Sequence, residues 1–305
     1  MKEFSLIKKL AQRTFHRSDV AIGIGDDAAI IDVPEGHQLV VSTDTLNEGI
    51  HFPKQTSAED IGYKALAVSL SDIAAMGAEP RWVLVNLSIP QLQSNWVEKF
   101  SDGLFELINQ FHLQLIGGDT CKGSLQITTT VMGIVPNGKA ITRFGAKVGD
   151  KIYVTGTLGD AALALRDLNN ASAFCLQRLN RPTPQVDLGK KLRGIANSMI
   201  DISDGLVQDV GHILEQSKLG ATIIVDDIPL SEDLKKIDRE IAWKLALSTG
   251  DDYELCFTVG KTQDPIIGAT CVGFIEKEQG LRIKRKNGEV FLIEQTGYEH
   301  FSSIK

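Results

Sequence analysis

The sequence has few cysteines, and no two of them form a closely spaced pair. The 305-residue chain carries four, far apart in sequence: Cys121, Cys175, Cys256 and Cys271. The absence of a C-x-x-C pair argues against a disulfide framework. We therefore expect reduced thiols, packed as small apolar side chains, in a cytoplasmic protein.

Long apolar runs and dense positive charge are also missing. No uninterrupted apolar stretch approaches the ~20 residues that a membrane-spanning helix needs. The N-terminal segment lacks an apolar core followed by a small-residue cleavage site, so we expect no signal peptide. The formal net charge is −7, and the short RIKRK run at 282–286 is the densest basic segment. We accordingly expect neither a membrane nor a nucleic acid as a partner.

Several catalytic motifs are absent. The chain contains no G-x-x-x-x-G-K-[ST], no H-E-x-x-H and no G-x-S-x-G. The stretch GIGDDAAII at 23–31 approaches the dinucleotide-binding fingerprint, but it continues IIDVP, which is too short and β-branched for the required helix. Asp26 and Asp27 would also repel a bare pyrophosphate. A metal ion held between these carboxylates and a phosphate would remove the repulsion.

The pattern of strands and helices divides the chain in two. The order β-β-α-β-α-β-β ends near residue 140, and a turn-rich passage at 135–150 precedes a second mixed series. The strongest helix signal covers 57–80, where Ser57 and Asp60 form a capping signal and Gly77 with Pro80 marks the end. We predict an α/β (α+β) protein with domains at 1–140 and 145–305.

Aspartates beside Gly, Ser or Thr recur at the predicted strand ends. They occur in five segments, GIGDD, VVSTDT, LIGGDT, MIDISDG and STGDDYE. Hard oxygen ligands of this kind suit Mg²⁺, which completes its coordination shell with water and phosphate oxygens. Asp-Gly and Asp-Ser are also ordinary turn sequences, and Asp204 is equally placed to cap the following helix. For each single residue, both interpretations stay open.

Asp72 is harder to explain as a turn residue. In the predicted helix it shares one stripe with Ile61, Ala65 and Val68. A lone carboxylate on such a face would cost several kcal/mol or shift its pKa strongly unless it were paired. A metal ion is one partner and a buried arginine, Arg81, is the structural alternative. We favour the metal.

Seven segments occur in an order that is specific for one family. They are GIGDDAAII, STDTLNEGIHF, YKALAVSLSDIAAMGAEP, LIGGDT, ITRFGAKVGDKIYVTG, IDISDGL and GDDYELCF. Together they span nearly the whole chain and resemble the thiamine-monophosphate kinases, of the aminoimidazole ribonucleotide synthetase-like superfamily. The resemblance implies the reaction ATP + thiamine phosphate = ADP + thiamine diphosphate. It also implies a homodimer formed through the sheet of an N-terminal ATP- and Mg²⁺-binding α/β domain, with an α+β C-terminal domain that completes the nucleotide and substrate site.

The resemblance also implies roles for individual residues. A cluster of several Mg²⁺ ions would be held by Asp27, Ser42, Thr43, Asp44, Asp72, Asp119, Asp201 and Asp204. The nucleotide would contact Gly118, Asp119, Arg143 and Ser203. Thiamine phosphate would be bound by His51, Asp251 and Tyr298, although some relatives have Glu at the position of Asp251. Asp72, Asp119 and Arg143 would be the catalytic residues.

The expected chemistry is direct in-line transfer without a phosphoenzyme. The attacking group is an ionised phosphate oxygen, so charge neutralisation matters more than a general base. Two alternatives remain: another ATP-using enzyme of the superfamily, such as aminoimidazole ribonucleotide synthetase, and a non-catalytic nucleotide-binding scaffold. The absence of a cysteine before Cys121 argues against selenophosphate synthetase.

Overall fold

The computed structural model describes residues 9–261 and 268–300. The chain divides into two compact units. The N-terminal unit comprises the residues up to Ile73 and Ala78–Ala140, and the C-terminal unit comprises Ala74–Gly77 and the residues from Ile141 onward.

The N-terminal unit is built on a four-stranded sheet of order β3-β6-β4-β5, next to a two-stranded ribbon of β1 and β2. Strands β4 and β5 are parallel, and the β3–β6 and β4–β6 pairs are antiparallel. Its elements are β1 (Val20–Ile22), β2 (Ile30–Ile31), β3 (His37–Asn47), α1 (Ala58–Ala75), β4 (Glu79–Ile89), α2 (Ser94–Gln110), β5 (Gln114–Lys122) and β6 (Gln126–Pro136).

Strand β3 alternates between the two faces of this sheet. Leu39, Val41, Thr43 and Thr45 are exposed, whereas Ser42 and Asp44 make hydrogen bonds to residues of α1. The alternation follows from the two-residue period of a strand. One face of the sheet is therefore covered by α1, while the outer face of β3 is open to solvent.

Helix α1 begins where the sequence predicts. Ser57 Oγ accepts a hydrogen bond from the Asp60 N–H at 3.1 Å and donates one to the Asp60 carboxylate at 2.8 Å. These bonds satisfy donors that the first turn would otherwise leave open. The helix ends at Ala75, and Gly77 then takes a left-handed conformation with φ of 63°. The predicted capping signal and stop are confirmed.

Helices α1 and α2 touch backbone to backbone through two glycines. A Cβ atom on Gly62 would overlap the carbonyl oxygen of Phe100, and a Cβ on Gly103 would overlap that of Glu59. Each glycine therefore admits the backbone of the other helix, which sets the close approach of α1 and α2.

The C-terminal unit contains a six-stranded sheet of order β12-β9-β11-β7-β10-β8. Strand β12 is parallel to β9, and the other described pairs are antiparallel. The strands are β7 (Lys151–Thr155), β8 (Ala196–Ile202), β9 (Gly220–Ile224), β10 (Glu254–Val259), β11 (Ala269–Glu276) and β12 (Gly280–Lys284). The helices are α3 (Asp160–Arg166), α4 (Ala173–Asn180), α5 (Val186–Lys191), α6 (Leu206–Ser217) and α7 (Arg239–Ser248).

Apolar side chains of strands and helices fill the larger core of this unit, and a smaller apolar cluster lies between α3 and α4. The aromatic centre of the larger core is Trp243 of α7, whose ring meets Phe291 edge to face at 5.5 Å. The two units together confirm the predicted mixed α/β class. Among the helices of the described residues, none combines the length and apolar character that a bilayer crossing demands.

The prediction for the cysteines was wrong for two of the four. All four are free thiols, but Cys121 and Cys271 are exposed, and only Cys175 and Cys256 are packed in the interior. Cys121 lies in the exposed end of β5, and Cys271 lies at an exposed position of β11.

We expect Gly103→Ala to destabilise the protein by about 2 kcal/mol or more, because the added methyl overlaps the α1 backbone. Gly211→Ala in α6 is the matched control, since a Cβ there meets no atom within 4 Å. The control should gain up to about 1 kcal/mol from helix propensity. Urea unfolding followed by tryptophan fluorescence measures both. Equal effects of the two substitutions would contradict the proposed helix contact.

Candidate functional site

In the N-terminal unit, β3 and α1 bring several oxygen ligands together. The hydroxyl of Ser42 donates a hydrogen bond to the Asp72 carboxylate. Ser69 Oγ donates to Asp44 Oδ2 at 2.7 Å. Residues 42 and 44 share one face of the strand, and residues 69 and 72 share one face of the helix. We call Ser42, Asp44, Ser69 and Asp72 the β3–α1 cluster.

Thr129 of β6 fixes the position of the helix in this cluster. Its hydroxyl donates to the Ala65 carbonyl oxygen at 2.7 Å and lies 2.7 Å from Ser69 Oγ. Both Ser69 and Thr129 are buried. The polar contacts between sheet and helix are therefore connected, and they hold the Asp44 and Asp72 side chains close to each other.

The proximity of two carboxylates is electrostatically unfavourable. Burial and the charge of the neighbouring Asp72 raise the pKa of Asp44 to about 6, although the hydrogen bond from Ser69 opposes the shift. A proton or a cation relieves such repulsion. Two carboxylates with two hydroxyls form an all-oxygen donor set, which fits the preferences of Mg²⁺.

The arginine alternative for Asp72 is disfavoured by what surrounds Arg81. The guanidinium of Arg81 donates to Asp19 Oδ2 at 2.9 Å and pairs with Glu79 Oε1 at 2.8 Å. Partial burial alone would raise the pKa of Asp19, but hydrogen bonds from Arg17 and Arg81 lower the pKa to about 2. Arg81 thus belongs to a structural ion-pair network. Asp72 itself is half-buried.

Thr43 does not place its side chain with the cluster. Its hydroxyl lies 2.9 Å from Thr130 Oγ1 and donates to the Thr129 carbonyl oxygen at 3.2 Å. Adjacent strand residues point to opposite faces, so the Thr43 side chain faces away from α1. The structure therefore does not bring the Thr43 hydroxyl into the cluster, and a metal-ligand role for Thr43 stays a prediction.

Asp119 and Gly118 lie at the other edge of the same sheet. The register aligns Asp44 with Thr129, Val85 and Gly118 across the four strands. At about 4.8 Å per strand, Gly118 is roughly 14 Å from Asp44 along the sheet. Within the N-terminal unit the sheet therefore does not bring Asp119 into the β3–α1 cluster.

Asp27 is exposed in the turn between β1 and β2, and its N–H donates to Asp26 Oδ1 at 2.8 Å.

His51 lies in the loop between β3 and α1. Its Nδ1 accepts a hydrogen bond from the Asn47 N–H at 3.0 Å. The buried ammonium of Lys64 donates to the His51 carbonyl oxygen at 3.1 Å. Because Nδ1 acts as an acceptor, the neutral ring carries its proton on Nε2. His51 is thereby oriented with an N–H donor at Nε2.

In the C-terminal unit, three separate predicted segments meet. The turn after β8 carries Ser203 and Asp204. The Asp251 N–H donates to the Ser203 carbonyl oxygen at 2.8 Å, and the Tyr298 N–H donates to that of Asp204 at 2.9 Å. Gln208 joins two of the segments, because its Nε2 lies 3.1 Å from Asp204 Oδ2 and 3.0 Å from the Tyr298 carbonyl oxygen.

Asp209 is a residue of this site that sequence reasoning missed. Its Oδ2 accepts hydrogen bonds of 3.1–3.2 Å from the N–H groups of Ser203, Asp204 and Gly205. Asp209 therefore caps the start of α6, and the capping alternative for Asp204 was wrong. Burial and the neighbouring Asp204 raise the pKa of Asp209 to about 7. Ligand atoms of Asp204, Asp209 and His212 lie within 4.8 Å of one another.

The remaining predicted residues are distributed around this turn. Asp201 is buried at the end of β8. Arg143 is exposed in the segment that runs beside β8, where the Met199 N–H donates to the Thr142 carbonyl oxygen at 3.0 Å. Tyr298 is partly exposed and stacks edge to face on His300.

Comparisons with known proteins identify the family. Residues 25–135 match the family described as AIR synthase related protein, N-terminal domain. The thiamine-monophosphate kinase of Escherichia coli (strain K12) is 44% identical over 321 residues, covering 99% of this chain and 98% of that protein.

Two solved structures are similar over almost the full length. The crystal structure of thiamine-monophosphate kinase from Stenotrophomonas maltophilia K279a is 44% identical with a TM-score of 0.87, and covers 95% of this chain and 98% of that one. AaThiL complexed with AMPPCP and TMP is 32% identical with a TM-score of 0.79, and covers 98% and 97%. Given this identity over the whole length, the chain belongs to the thiamine-monophosphate kinase family.

Proposed function

We infer that this chain is a thiamine-phosphate kinase, which transfers the γ-phosphoryl group of ATP to thiamine phosphate and yields ADP and thiamine diphosphate. One observation carries this function. The similar structure that covers 98% of this chain holds both AMPPCP, an ATP analogue, and TMP. A site that holds both ligands at once is suited to direct transfer between them.

The chemistry joins two anions, and the chain's own residues must organise them. Thiamine phosphate supplies an already ionised oxygen as the nucleophile, so the reaction needs alignment and charge neutralisation rather than a strong general base. Bound Mg²⁺ ions would neutralise phosphate charge and align the two groups for in-line attack. No phosphoenzyme is required.

Several Mg²⁺ ions are proposed to bind to two sets of oxygen ligands. In the N-terminal unit the β3–α1 cluster offers Ser42, Asp44 and Asp72. A divalent cation would relieve the repulsion between the two carboxylates. In the C-terminal unit Asp201 and Asp204 provide carboxylates at the end of β8. Asp27, Thr43 and Asp119 remain predicted ligands from exposed positions.

The nucleotide and the acceptor are assigned to separate groups of residues. Gly118, Asp119, Arg143 and Ser203 are proposed to bind ATP, with the planar guanidinium of Arg143 paired to its phosphates. For thiamine phosphate, His51 offers its Nε2–H to a phosphate oxygen. The carboxylate of Asp251 suits the positively charged thiazolium ring, and Tyr298 offers an aromatic surface.

The protein is proposed to act in the cytoplasm, where ATP and Mg²⁺ are available. It is also proposed to be a homodimer. Its dimer contact is assigned to the outer face of β3. Leu39 and Val41 project from this face with 42% and 55% of their surface exposed. Apolar side chains that are exposed next to each other on one face of a strand favour a contact with a second copy of the chain.

The assignment of the acceptor is tested by ADP release. We expect thiamine phosphate to support turnover, and thiamine to support much less because it lacks the phosphate that bound metal ions would hold. Faster turnover of thiamine would contradict the assignment. Release with aminoimidazole ribonucleotide precursors alone would indicate the related synthetase, and no release with any acceptor would indicate a nucleotide-binding scaffold.

The metal assignment is tested with Asp72→Asn. Wild-type turnover should cease with a chelator and return with Mg²⁺. The substitution should reduce turnover at saturating ATP by about 100-fold, as the loss of one electrostatic element does. Metal-free protein should melt at the wild-type temperature or above, because repulsion with Asp44 is relieved. Asp102→Asn on the exposed face of α2 is the matched control. A lower melting temperature with normal turnover would assign Asp72 a structural role.

The dimer contact is tested with Val41→Lys. A charge on this exposed position should convert the dimer to a monomer, as measured by light scattering after gel filtration, without lowering the stability of the unit. Val290→Lys is the control, because Val290 is 65% exposed in the C-terminal unit. A Val41→Lys protein that stays dimeric would place the contact elsewhere.

A further inference from the structure

The turn that carries Asp251 has an unusual backbone. Gly250, Asp251 and Tyr253 all have positive φ angles, of 74°, 64° and 52°. Glycine adopts this left-handed region freely, but Asp and Tyr do so at a cost. Such a turn persists only where its surroundings determine it.

One side of the turn is held by backbone contacts. The N–H groups of Asp251 and Tyr253 donate to the carbonyl oxygens of Ser203 and Ile202, both at 2.8 Å. Gly250 lies so close to this segment that a Cβ would overlap the Ser203 carbonyl oxygen. These contacts fix the ends of the turn against the segment after β8, but they leave the carbonyl oxygen of Asp252 to be satisfied.

The other side is held by Arg178, which lies on α4. Its Nη2 donates to the Asp252 carbonyl oxygen at 3.1 Å and lies 2.8 Å from Glu254 Oε1. The same nitrogen lies 3.3 Å from the Thr157 carbonyl oxygen. A single guanidinium thus connects the turn, the first residue of β10 and the segment before α3.

The partners of Arg178 are themselves fixed and enclosed. Glu254 is 2% exposed and accepts hydrogen bonds from the Thr155 hydroxyl and, at 3.0 Å, from Gln185 Nε2. Asp252 is 1% exposed, and its Oδ1 accepts the Gly159 N–H at 2.8 Å. Burial raises the pKa of Asp252 well above its usual value and also raises the pKa of Glu254, so this network is costly to form.

We propose that Arg178 is a positioning residue for thiamine phosphate, which acts by holding the Gly250–Tyr253 turn so that the Asp251 carboxylate stays directed at the substrate. This inference rests on the proposed function, in which Asp251 contacts thiamine phosphate. Arg178 is not assigned a contact with the substrate. Its effect is exerted through the Asp252 carbonyl oxygen, one residue beyond Asp251.

Arg178→Lys is the first test, because lysine keeps the charge but carries it on a shorter, non-planar group that does not reproduce the position of Nη2. We expect the KM for thiamine phosphate to rise about tenfold, as small misplacements of a binding group do. The KM for ATP and kcat should change little, and the melting temperature should stay within a few degrees. Arg166→Lys, at an exposed position in the last turn of α3, is the matched control.

A double-mutant cycle with Asp251→Asn tests whether Arg178 acts through Asp251. Asparagine tolerates the left-handed conformation, so this substitution removes the charge and keeps the turn. If Arg178 positions Asp251, the double variant should have the KM for thiamine phosphate of Asp251→Asn alone. Effects that multiply would overturn the proposal, because Arg178 would then act independently of Asp251.

A second variant covers the case in which Arg178→Lys does not fold. Arg178→Gln combined with Glu254→Gln removes both charges and leaves amides that retain hydrogen bonding, so no unpaired charge stays buried. The same rise in the KM for thiamine phosphate is expected, and an unchanged KM in either folded variant would overturn the inference. Wild-type protein without turnover of thiamine phosphate would overturn the proposed function instead.

Discussion

The N-terminal unit depends on a close contact between β3 and α1 that holds two carboxylates side by side. Asp44 and Asp72 repel each other, and burial strengthens the effect. The helix is nevertheless held against the sheet by the connected hydroxyls of Ser69 and Thr129 and by small residues such as Ala65. The contact is thus stabilised by hydrogen bonds and packing, and the carboxylates keep an arrangement that they would not adopt by themselves.

In the C-terminal unit, backbone groups hold the acidic residues in place. The turn after β8 directs three N–H groups at Asp209. Because Asp209 accepts these three hydrogen bonds, the carboxylate of Asp204 is left for other partners. The Gly250–Tyr253 turn then packs on this segment in a conformation that is costly for Asp251 and Tyr253. In both units, local stability is given up at the residues proposed to bind ligands, and well-satisfied neighbours hold them in place.

Local signals in the sequence predict the scaffold better than the site. The Ser57 cap and the apolar helical stripe that contains Asp72 depend on residues only a few positions apart in the sequence, so helix α1 could be predicted. The outward direction of the Thr43 side chain also follows from strand alternation, and its role as a metal ligand stays a prediction. Asp209 and Arg178 were missed because their partners are backbone atoms whose positions are set only after the turns have folded. The ligand roles that rest on resemblance remain predictions.

The protein has a net charge of −7, and Mg²⁺ is the cation proposed to mediate its contact with two phosphorylated substrates. Carboxylates that repel each other in the empty protein bind a divalent ion more favourably, because its charge relieves a repulsion already present. Anything that binds only the folded state also stabilises it by mass action. Under the proposed Mg²⁺ binding, the ion would relieve the repulsion between Asp44 and Asp72, so stability and activity would depend on the same ion.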